Sequence, residues 1–444
     1  MVLENHHITS KGFLPEKCLT KAPTEFKYLE CVLEIIHSFD IEYFRRIVNN
    51  LKPKEKIIIE YFNNNPPRSE IEYLYSVLSI IVHKYLWGSY EENINDDKIK
   101  EKSIREVRQI VIPKSIGHPW LESANILGIK PALTHGAVDL YNWSLKDNNQ
   151  PFCLDNLKSN NLMTNSPSEE WFYLIMVAIE GECANSIRLM EEINFLLNNL
   201  DENGRVNKIR ILNKLQELNV ELQKGCKIIN RMYERCDPHH FYNVLRIFLG
   251  GYSNKEIFPN GLSVDTYQGI IKIDSKGGSA AQSTIVPLWD AFLGIEHVEH
   301  GKEFLLEMRE YMPKLHRDYL DEFSKNCILK YYIKRNRDVD ILEKYKECID
   351  SVTLFRKRHL QIVHDYIVKM KNENNIHGDK GTGGTPLRTF LSGLIGNVKT
   401  AGEQLKNYNE KNITMFEWIL YKIEDFFGEN SKIISLLKTW LWSW

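Results

Sequence analysis

The sequence predicts an all-α protein of two domains. Apolar residues recur at spacings of three and four through most of the 444 residues, and strand signals are few. The length exceeds the roughly 100–200 residues of one typical domain, and a hydrophobic content of 43% is enough for a sizeable core. The net charge is near −2 with both signs interspersed. The chain therefore lacks the basic surface of a nucleic-acid-binding protein.

Helical periodicity sets the order of the predicted elements. Helices are expected over residues 26–49, 69–87, 122–127, 166–200, 206–236, 241–249, 284–293, 302–312, 342–371 and 386–395. Ser166, Pro167 and Glu169 mark one start, with a capping serine, a proline in the first position and a glutamate in the third. The most apolar run, 73–87, is short and contains His83 and Lys84, which indicates a buried helix and not a membrane span. The best strand, 269–273, predicts a small ribbon.

The domain boundary is expected near residues 115–130, where proline and glycine cluster. This predicts a small amino-terminal helical domain over residues 1–120, a large domain over 121–410 and an extension over 411–444. The extension carries two apolar stripes and ends with Trp440, Trp442 and Trp444. It is expected to pack on the protein's own surface; the alternatives are a dimer contact or a membrane-surface anchor.

The eight cysteines are scattered and include no CxxC pair. This argues against a zinc site and against a disulfide framework. A metal site at His297 and His300, with Glu299 between them, is a further candidate with weak support from the sequence. Because the amino terminus has no apolar core of a signal peptide, a reducing, cytoplasmic location is the simplest interpretation.

His359 stands within the apolar stripe of the predicted helix 342–371. An imidazole buried there needs a partner for its ring nitrogens, since an unpaired buried polar group costs a few kcal/mol. A haem iron is one such partner, and a backbone carbonyl in the core is the other. Arg356 lies one turn earlier, where a cation could meet a haem propionate. The pattern alone leaves both interpretations open.

Five blocks, one of which contains His359, decide between them: FYNVLRIFLGGY, GGSAAQS, YMPKLHRDYL, RHLQIVHDYI and KGTGGT, in that order. Together they resemble the indoleamine 2,3-dioxygenase family of haem proteins, over about residues 110–400. The resemblance implies a two-domain helical haem protein, with the small amino-terminal domain over the larger catalytic one. It also implies one b-type haem per chain between the domains and O2 as co-substrate.

The resemblance implies roles for individual residues on the haem side. His359 matches the proximal iron ligand, Arg356 a propionate-side arginine and Asp290 the acid that pairs with it. The remaining positions expected beside the haem are Gly278, Ser279, Ala280 and Val363.

It implies a second set of roles on the substrate side. Arg246 matches an arginine that clamps the substrate carboxylate, for which a planar bidentate fork is suited. Thr382 matches the threonine of a mobile loop that closes over the substrate. The aromatic positions expected around the substrate are Phe172, Tyr173, Phe241 and Tyr242.

The distal side departs from the family pattern. Met176 replaces a small residue, His135 a tyrosine, and Val138 and Asp139 small apolar residues. The residues predicted to form the catalytic pocket are Arg246 and three of these distal positions, Met176, His135 and Asp139. Three explanations are open. Met176 repacks the pocket, His135 and Asp139 recognise a different polar substrate, or Met176 or His135 is a sixth iron ligand.

The expected function is that of a haem-dependent dioxygenase. It would insert O2 into the indole C2–C3 bond of tryptophan or a related indoleamine, giving an N-formylkynurenine-type product. One alternative is a divergent haem oxygenase of another aromatic amino acid or indole derivative in specialised metabolism. The other is a non-enzymatic haem protein that binds a gas.

Overall fold

The computed structural model describes residues 2–38, 40–91, 106–202, 205–297, 299–370, 381 and 387–407. The prediction of an all-α fold is confirmed, because helices dominate the described chain and the strands are few and short. Thr382 and the extension 411–444 lie outside the described residues, so their roles stay predictions.

Among the described residues, six helices precede residue 130. They are α1 (Val2–Asn5), α2 (Tyr28–Glu34), α3 (Ile41–Asn50), α4 (Glu55–Asn63), α5 (Arg68–Glu91) and α6 (Lys114–Leu127). The sequence predicts one helix over 26–49, but the structure has two. Asp40 caps α3, its side chain accepting from the Tyr43 N–H at 2.8 Å, and so begins a new helix.

The helix α5 is buried over most of its length, as its apolar run predicts. It packs against α6, which runs through residue 120 with Pro119 inside it. A helix therefore spans the position where the sequence places the domain boundary, and the division into two domains stays a prediction. In the described part of the chain, no helix is both long and apolar enough to cross a membrane.

The helices after residue 130 surround the pocket described below. They are α7 (Pro167–Glu182), α8 (Asn185–Asn198), α9 (Lys208–Asn230), α10 (Met232–Arg235), α11 (Pro238–His240), α12 (Arg246–Phe248), α13 (Ile285–Phe292), α14 (Glu299–Arg309), α15 (Lys314–Asn326), α16 (Leu329–Asn336), α17 (Val339–Val363) and α18 (Leu387–Asn407). Ser166 caps α7 as predicted, accepting from the Ser168 N–H at 3.2 Å. The single predicted helix 166–200 is divided between α7 and α8. The helices α1, α4, α11, α15 and α16 have no counterpart among the predicted elements.

In the described chain, five short strands form two small sheets. The predicted strand is confirmed as β5 (Gly269–Ile273), which pairs antiparallel with β4 (Leu262–Thr266). The strand β1 (Val111–Ile112) adds to β4 in parallel, and β2 (Trp143–Leu145) pairs antiparallel with β3 (Leu157–Ser159). All eight cysteines are free thiols, which agrees with their scattered spacing.

Candidate functional site

One largely apolar pocket collects most of the predicted site residues. Its walls include residues of α7, α13, α17 and α18 and the segments 133–139 and 278–281. The apolar lining includes Leu133, Phe172, Met176, Phe241, Phe355 and Val363. A concave, mainly apolar pocket with a few convergent polar groups is the usual form of a ligand site.

Three π-helical turns of the described chain contribute to this pocket. They are Gly136–Leu140, Phe241–Leu245, which joins α11 to α12, and His364–Val368, which extends α17. A π turn inserts one extra residue and turns the following side chains relative to an ideal helix, and such turns are frequent at functional sites. Each of the three supplies at least one residue of the lining.

His359 faces the pocket from α17. Neither of its ring nitrogens forms a hydrogen bond with any residue that the structure describes. Burial lowers the pKa of His359 to about 4, and the cation of Arg356 contributes to this decrease. The ring is therefore neutral at pH 7 and keeps a nitrogen lone pair, which is the state a metal ligand needs.

Arg356 and Asp290 form a buried ion pair in the wall beside His359. The Arg356 Nη2 donates to Asp290 Oδ2 at 2.5 Å, and His297 Nε2 lies 2.8 Å from the same oxygen. Burial raises the pKa of Asp290, but Arg356 and His297 outweigh it and hold the pKa below its usual value. The sequence suggested His297 only as a weak metal ligand; the structure makes it a third member of this group.

Gly278 brings two backbone segments into close contact at the pocket wall. A Cβ at this position would lie 2.6 Å from the carbonyl oxygen of Leu133, and the Gly278 N–H donates to the Leu249 carbonyl at 3.0 Å. Ser279 and Ala280 continue the same wall. Gly278, which the resemblance places beside the haem, thus also packs this loop on its neighbours.

The residues present fit a haem. A neutral imidazole with no hydrogen-bond partner in the described chain faces an apolar pocket, and a buried arginine stands one turn away. Among the described residues, Arg356 Nε and Asp290 Oδ1 are buried and have no hydrogen-bond partner. No group of three or more His, Cys, Asp or Glu side chains in the described chain could hold a metal ion instead. His359 would hold the iron of such a group, and Arg356 would face its anionic side chains.

Arg246 lies in the same pocket, 1% exposed. Its guanidinium stands over the Tyr242 ring, 5.2 Å from the centroid, which fixes its position by a cation–π contact. Phe172 and Phe241 line the pocket together, with ring centroids 5.0 Å apart. Tyr173 and Tyr242 are fully buried behind the lining, so the structure places these two behind the wall, where they support it.

A buried ionic cluster of His135, Asp139 and Glu180 occupies another part of the wall. The His135 Nδ1 lies 2.6 Å from Asp139 Oδ2, and its Nε2 lies 3.0 Å from Glu180 Oε1. Ser283 Oγ donates to the same Glu180 oxygen at 2.6 Å. Burial lowers the pKa of His135, but the two carboxylates outweigh this and raise it to about 10.

The cluster changes the interpretation of His135. An imidazolium that donates through both nitrogens has no lone pair for a metal, which argues against His135 as a sixth iron ligand. The sequence did not single out Glu180. The helical spacing could have identified it. Phe172, Met176 and Glu180 are each four residues apart, so all three lie on one face of α7.

Known proteins resemble this chain along most of its length. The sequence pattern of the family described as "Indoleamine 2,3-dioxygenase" matches residues 2–399. Indoleamine 2,3-dioxygenase 1 of Mus musculus is 31% identical over 69% of the chain and 75% of that protein, and indoleamine 2,3-dioxygenase 2 of Homo sapiens is 27% identical over 88% and 93%. The 6-hydroxytryptophan 2,3-dioxygenase fscD of Fusarium equiseti is 30% identical over 65% and 74%. Taken with the pocket geometry, these matches show that the chain belongs to the indoleamine 2,3-dioxygenase family and is an oxidoreductase.

Proposed function

We propose that the protein is a haem-dependent dioxygenase of an indole amino acid. It binds one b-type haem per chain and inserts both atoms of O2 into the indole C2–C3 bond of tryptophan or a close relative, giving an N-formylkynurenine-type product. The observation that carries the proposal is an apolar pocket that holds a buried Arg246 together with a neutral His359, whose ring has no hydrogen-bond partner among the described residues. Relatives named for indoleamines and for 6-hydroxytryptophan support the substrate class.

The haem-side residues would hold the cofactor by three kinds of contact. His359 would ligate the iron, Arg356 would pair with a propionate, and Asp290 would keep Arg356 oriented through their 2.5 Å contact. When bound, the haem supplies the activation of O2, which no protein side chain can provide. The protein's own contribution is to hold and orient the reactants.

The substrate-side residues would position the amino acid. The planar fork of Arg246 would bind the carboxylate, and Tyr242 holds the fork in place from behind. Phe172 and Phe241 would pack against the aromatic ring. Because the walls are mainly apolar, they exclude water and strengthen the ionic contact of the carboxylate. Orientation of this kind supplies much of the rate gain in such reactions.

Substitution of Arg246 tests the substrate assignment. We expect Arg246→Leu to raise KM for tryptophan and lower kcat/KM by roughly 10²-fold or more, as for truncation of one partner of a buried charged pair. Arg246→Lys is the matched control, because it keeps the charge and loses the bidentate fork; its loss should be intermediate. Tryptamine, which lacks the carboxylate, should respond little to either change. Equal losses for both compounds would assign Arg246 a structural role instead.

A second experiment tests the reaction class. The reduced protein is incubated aerobically with a panel of aromatic amino acids, and products are measured by mass spectrometry. A gain of two oxygen atoms supports a dioxygenase and a gain of one supports a monooxygenase. No oxygenated product, with no Soret shift on adding any amino acid, would favour a non-enzymatic haem protein. A cytoplasmic location and a contact of the extension 411–444 with a membrane or second chain stay predictions from the sequence.

A further inference from the structure

The proposed function leaves one polar pair of the pocket without a role. Among the described lining residues, His359, Arg356 and Asp290 belong to the haem side, and Arg246 belongs to the substrate carboxylate. His135 and Asp139 are the charged pair that remains. Both are at least nine-tenths buried, at 3% and 5% exposure, and ionised groups are rarely retained at such depth without a purpose.

The cluster around His135 has more acceptors than donors. Two carboxyl groups, those of Asp139 and Glu180, share the one imidazole ring of His135. Asp139 Oδ1 and Glu180 Oε2 are buried and have no hydrogen-bond partner among the described residues. A carboxylate can accept about four hydrogen bonds, and Asp139 accepts one from His135. A donor that reaches Asp139 would therefore be bound without displacing a protein contact.

The position of the cluster selects which part of a substrate it would meet. Along α7, Phe172 contacts Phe241, and these two rings are the ones proposed above to pack against the aromatic end of the substrate. Glu180, which binds His135, lies eight residues further along the same face, about 12 Å at the rise of an α-helix. Met176 lines the pocket between them. If the carboxylate is held at Arg246, the group that approaches Asp139 is on the aromatic end of the substrate.

We propose that Asp139 accepts a hydrogen bond from a donor on the substrate's aromatic ring, so that the preferred substrate is a ring-hydroxylated tryptophan and not tryptophan itself. This inference rests on the proposed function and refines its substrate class. His135 and Glu180 act as positioning residues, since His135 binds Asp139 through Nδ1 and Glu180 holds the other ring nitrogen of His135. A site built around a buried acceptor discriminates strongly against a substrate that lacks the donor, because the acceptor is then left unpaired.

The test compares matched pairs of substrates. The haem-loaded protein is assayed with the 4-, 5-, 6- and 7-hydroxytryptophans, with the corresponding fluorotryptophans and with tryptophan. The fluorotryptophans are the controls, because a fluorine substituent on the ring cannot donate a hydrogen bond. One hydroxytryptophan should exceed its fluoro counterpart and tryptophan in kcat/KM by about 10²-fold or more. Its Kd, measured by the Soret shift under anaerobic conditions, should follow the same order.

Two variants assign the preference to Asp139. Asp139→Val removes the acceptor, and the hydroxy-to-fluoro ratio should fall by at least about tenfold, as for loss of a hydrogen bond to a charged group. His239→Ala changes an exposed residue outside the pocket, and its ratio should stay near that of the wild type. Asp139→Asn, which keeps the shape, serves where the valine variant does not fold; its ratio should also fall.

The outcomes separate this inference from the proposed function. Turnover of tryptophan as good as that of every hydroxytryptophan by the wild type overturns the inference alone. A preference that survives in the Asp139 variants also overturns it. No oxygenated product from any member of the panel overturns the proposed function, and with it the basis of the inference.

Discussion

Several polar residues of the pocket wall have fewer hydrogen-bond partners in the described chain than their side chains can bind. Arg356 and Asp290 are bonded to each other, but each keeps one buried polar atom without a partner in the described chain. His359 has no hydrogen bond to any described residue. Because an unpaired buried polar group destabilises the fold by a few kcal/mol, such positions are retained where a ligand completes them. The same reasoning applies to Asp139, for which the completing ligand would be the substrate.

Replacement of His359 should remove the cofactor. We expect His359→Ala to lose most of the haem that the wild type binds, because it removes the ring nitrogen available to the iron. The measurement is the haem-to-protein ratio and the Soret spectrum of the purified proteins. His239→Ala is a suitable control, since His239 is exposed and lies outside the pocket. Full haem retention with an unchanged spectrum in His359→Ala would exclude this ligand.

Met176 should restrict the space available to the substrate. Methionine extends roughly two heavy atoms beyond serine, and Met176 lines the pocket. We expect Met176→Ser to enlarge the pocket and to raise kcat/KM for tryptophan relative to the wild type.

The spin state of the wild type tests the opposing idea that the Met176 sulfur binds iron. A sulfur ligand makes the ferrous protein low-spin and six-coordinate, and Met176→Ser then converts it to high-spin. A high-spin, five-coordinate wild type would leave only the steric explanation. Met176→Leu, which keeps the bulk without sulfur, should then resemble the wild type in tryptophan turnover.

At the scale of the elements, the pocket depends on departures from regular helix. The π turns Gly136–Leu140, Phe241–Leu245 and His364–Val368 each place at least one side chain in the lining. An uninterrupted α-helix would rotate the residues after each turn by about 100°. The loop of Gly278 makes a comparable contribution, because it approaches the Leu133 carbonyl more closely than any residue with a Cβ could.

Gly278→Ala should therefore destabilise the protein. The new Cβ would stand 2.6 Å from the Leu133 carbonyl oxygen, so one of the two backbone segments must move. We expect the free energy of unfolding to fall by about 1–3 kcal/mol, measured by denaturant titration. Gly396→Ala is the matched control. Gly396 lies in α18, and a Cβ added there would have no atom within 4 Å, so alanine should stabilise by about 0.5–1 kcal/mol. Equal effects would contradict the close-contact argument.

At the scale of the whole molecule, His83 joins three segments through one buried ring. Its Nδ1 bonds the Phe248 carbonyl at 2.6 Å, so it donates there, and its Nε2 accepts from the Leu133 N–H at 3.1 Å. The Tyr252 hydroxyl lies 2.5 Å from the same Nε2. The helix α5 is thereby tied to the segment that begins the pocket wall and to the segment that follows Arg246.

This network predicts a loss of stability in acid. Burial lowers the pKa of His83 from its ordinary value of 6.5 to about 4. The contribution of neutral His83 is complete above pH 6.5 and is lost as the pH falls toward 4, because the unfolded chain binds the proton first. We expect the difference in free energy of unfolding between the wild type and His83→Gln to shrink over this range, by up to about 1.4 kcal/mol per pH unit. Denaturant titrations at several pH values measure it, and a constant difference would contradict the assignment.

The sequence by itself determined the helical class and the strand β5. Helix periodicity is local, so α5, α7 and α17 could be predicted from spacing, although caps such as Asp40 divided helices that the periodicity joined. His359 and Arg356 could be paired because they lie one turn apart on one helix.

Only the tertiary structure decided the chemistry of the distal wall. His135 and Asp139 are neighbours in sequence, but Glu180 reaches His135 from 45 residues away, and Ser283 joins the cluster from still further along the chain. The sequence therefore left His135 open as an iron ligand, and the fold gives it two carboxylate partners. In the same way, Tyr242 is separated from the pocket by its position behind Arg246. The charge state and the exposure of a side chain depend on neighbours that are distant in the chain. The local sequence pattern does not show which residues those neighbours are.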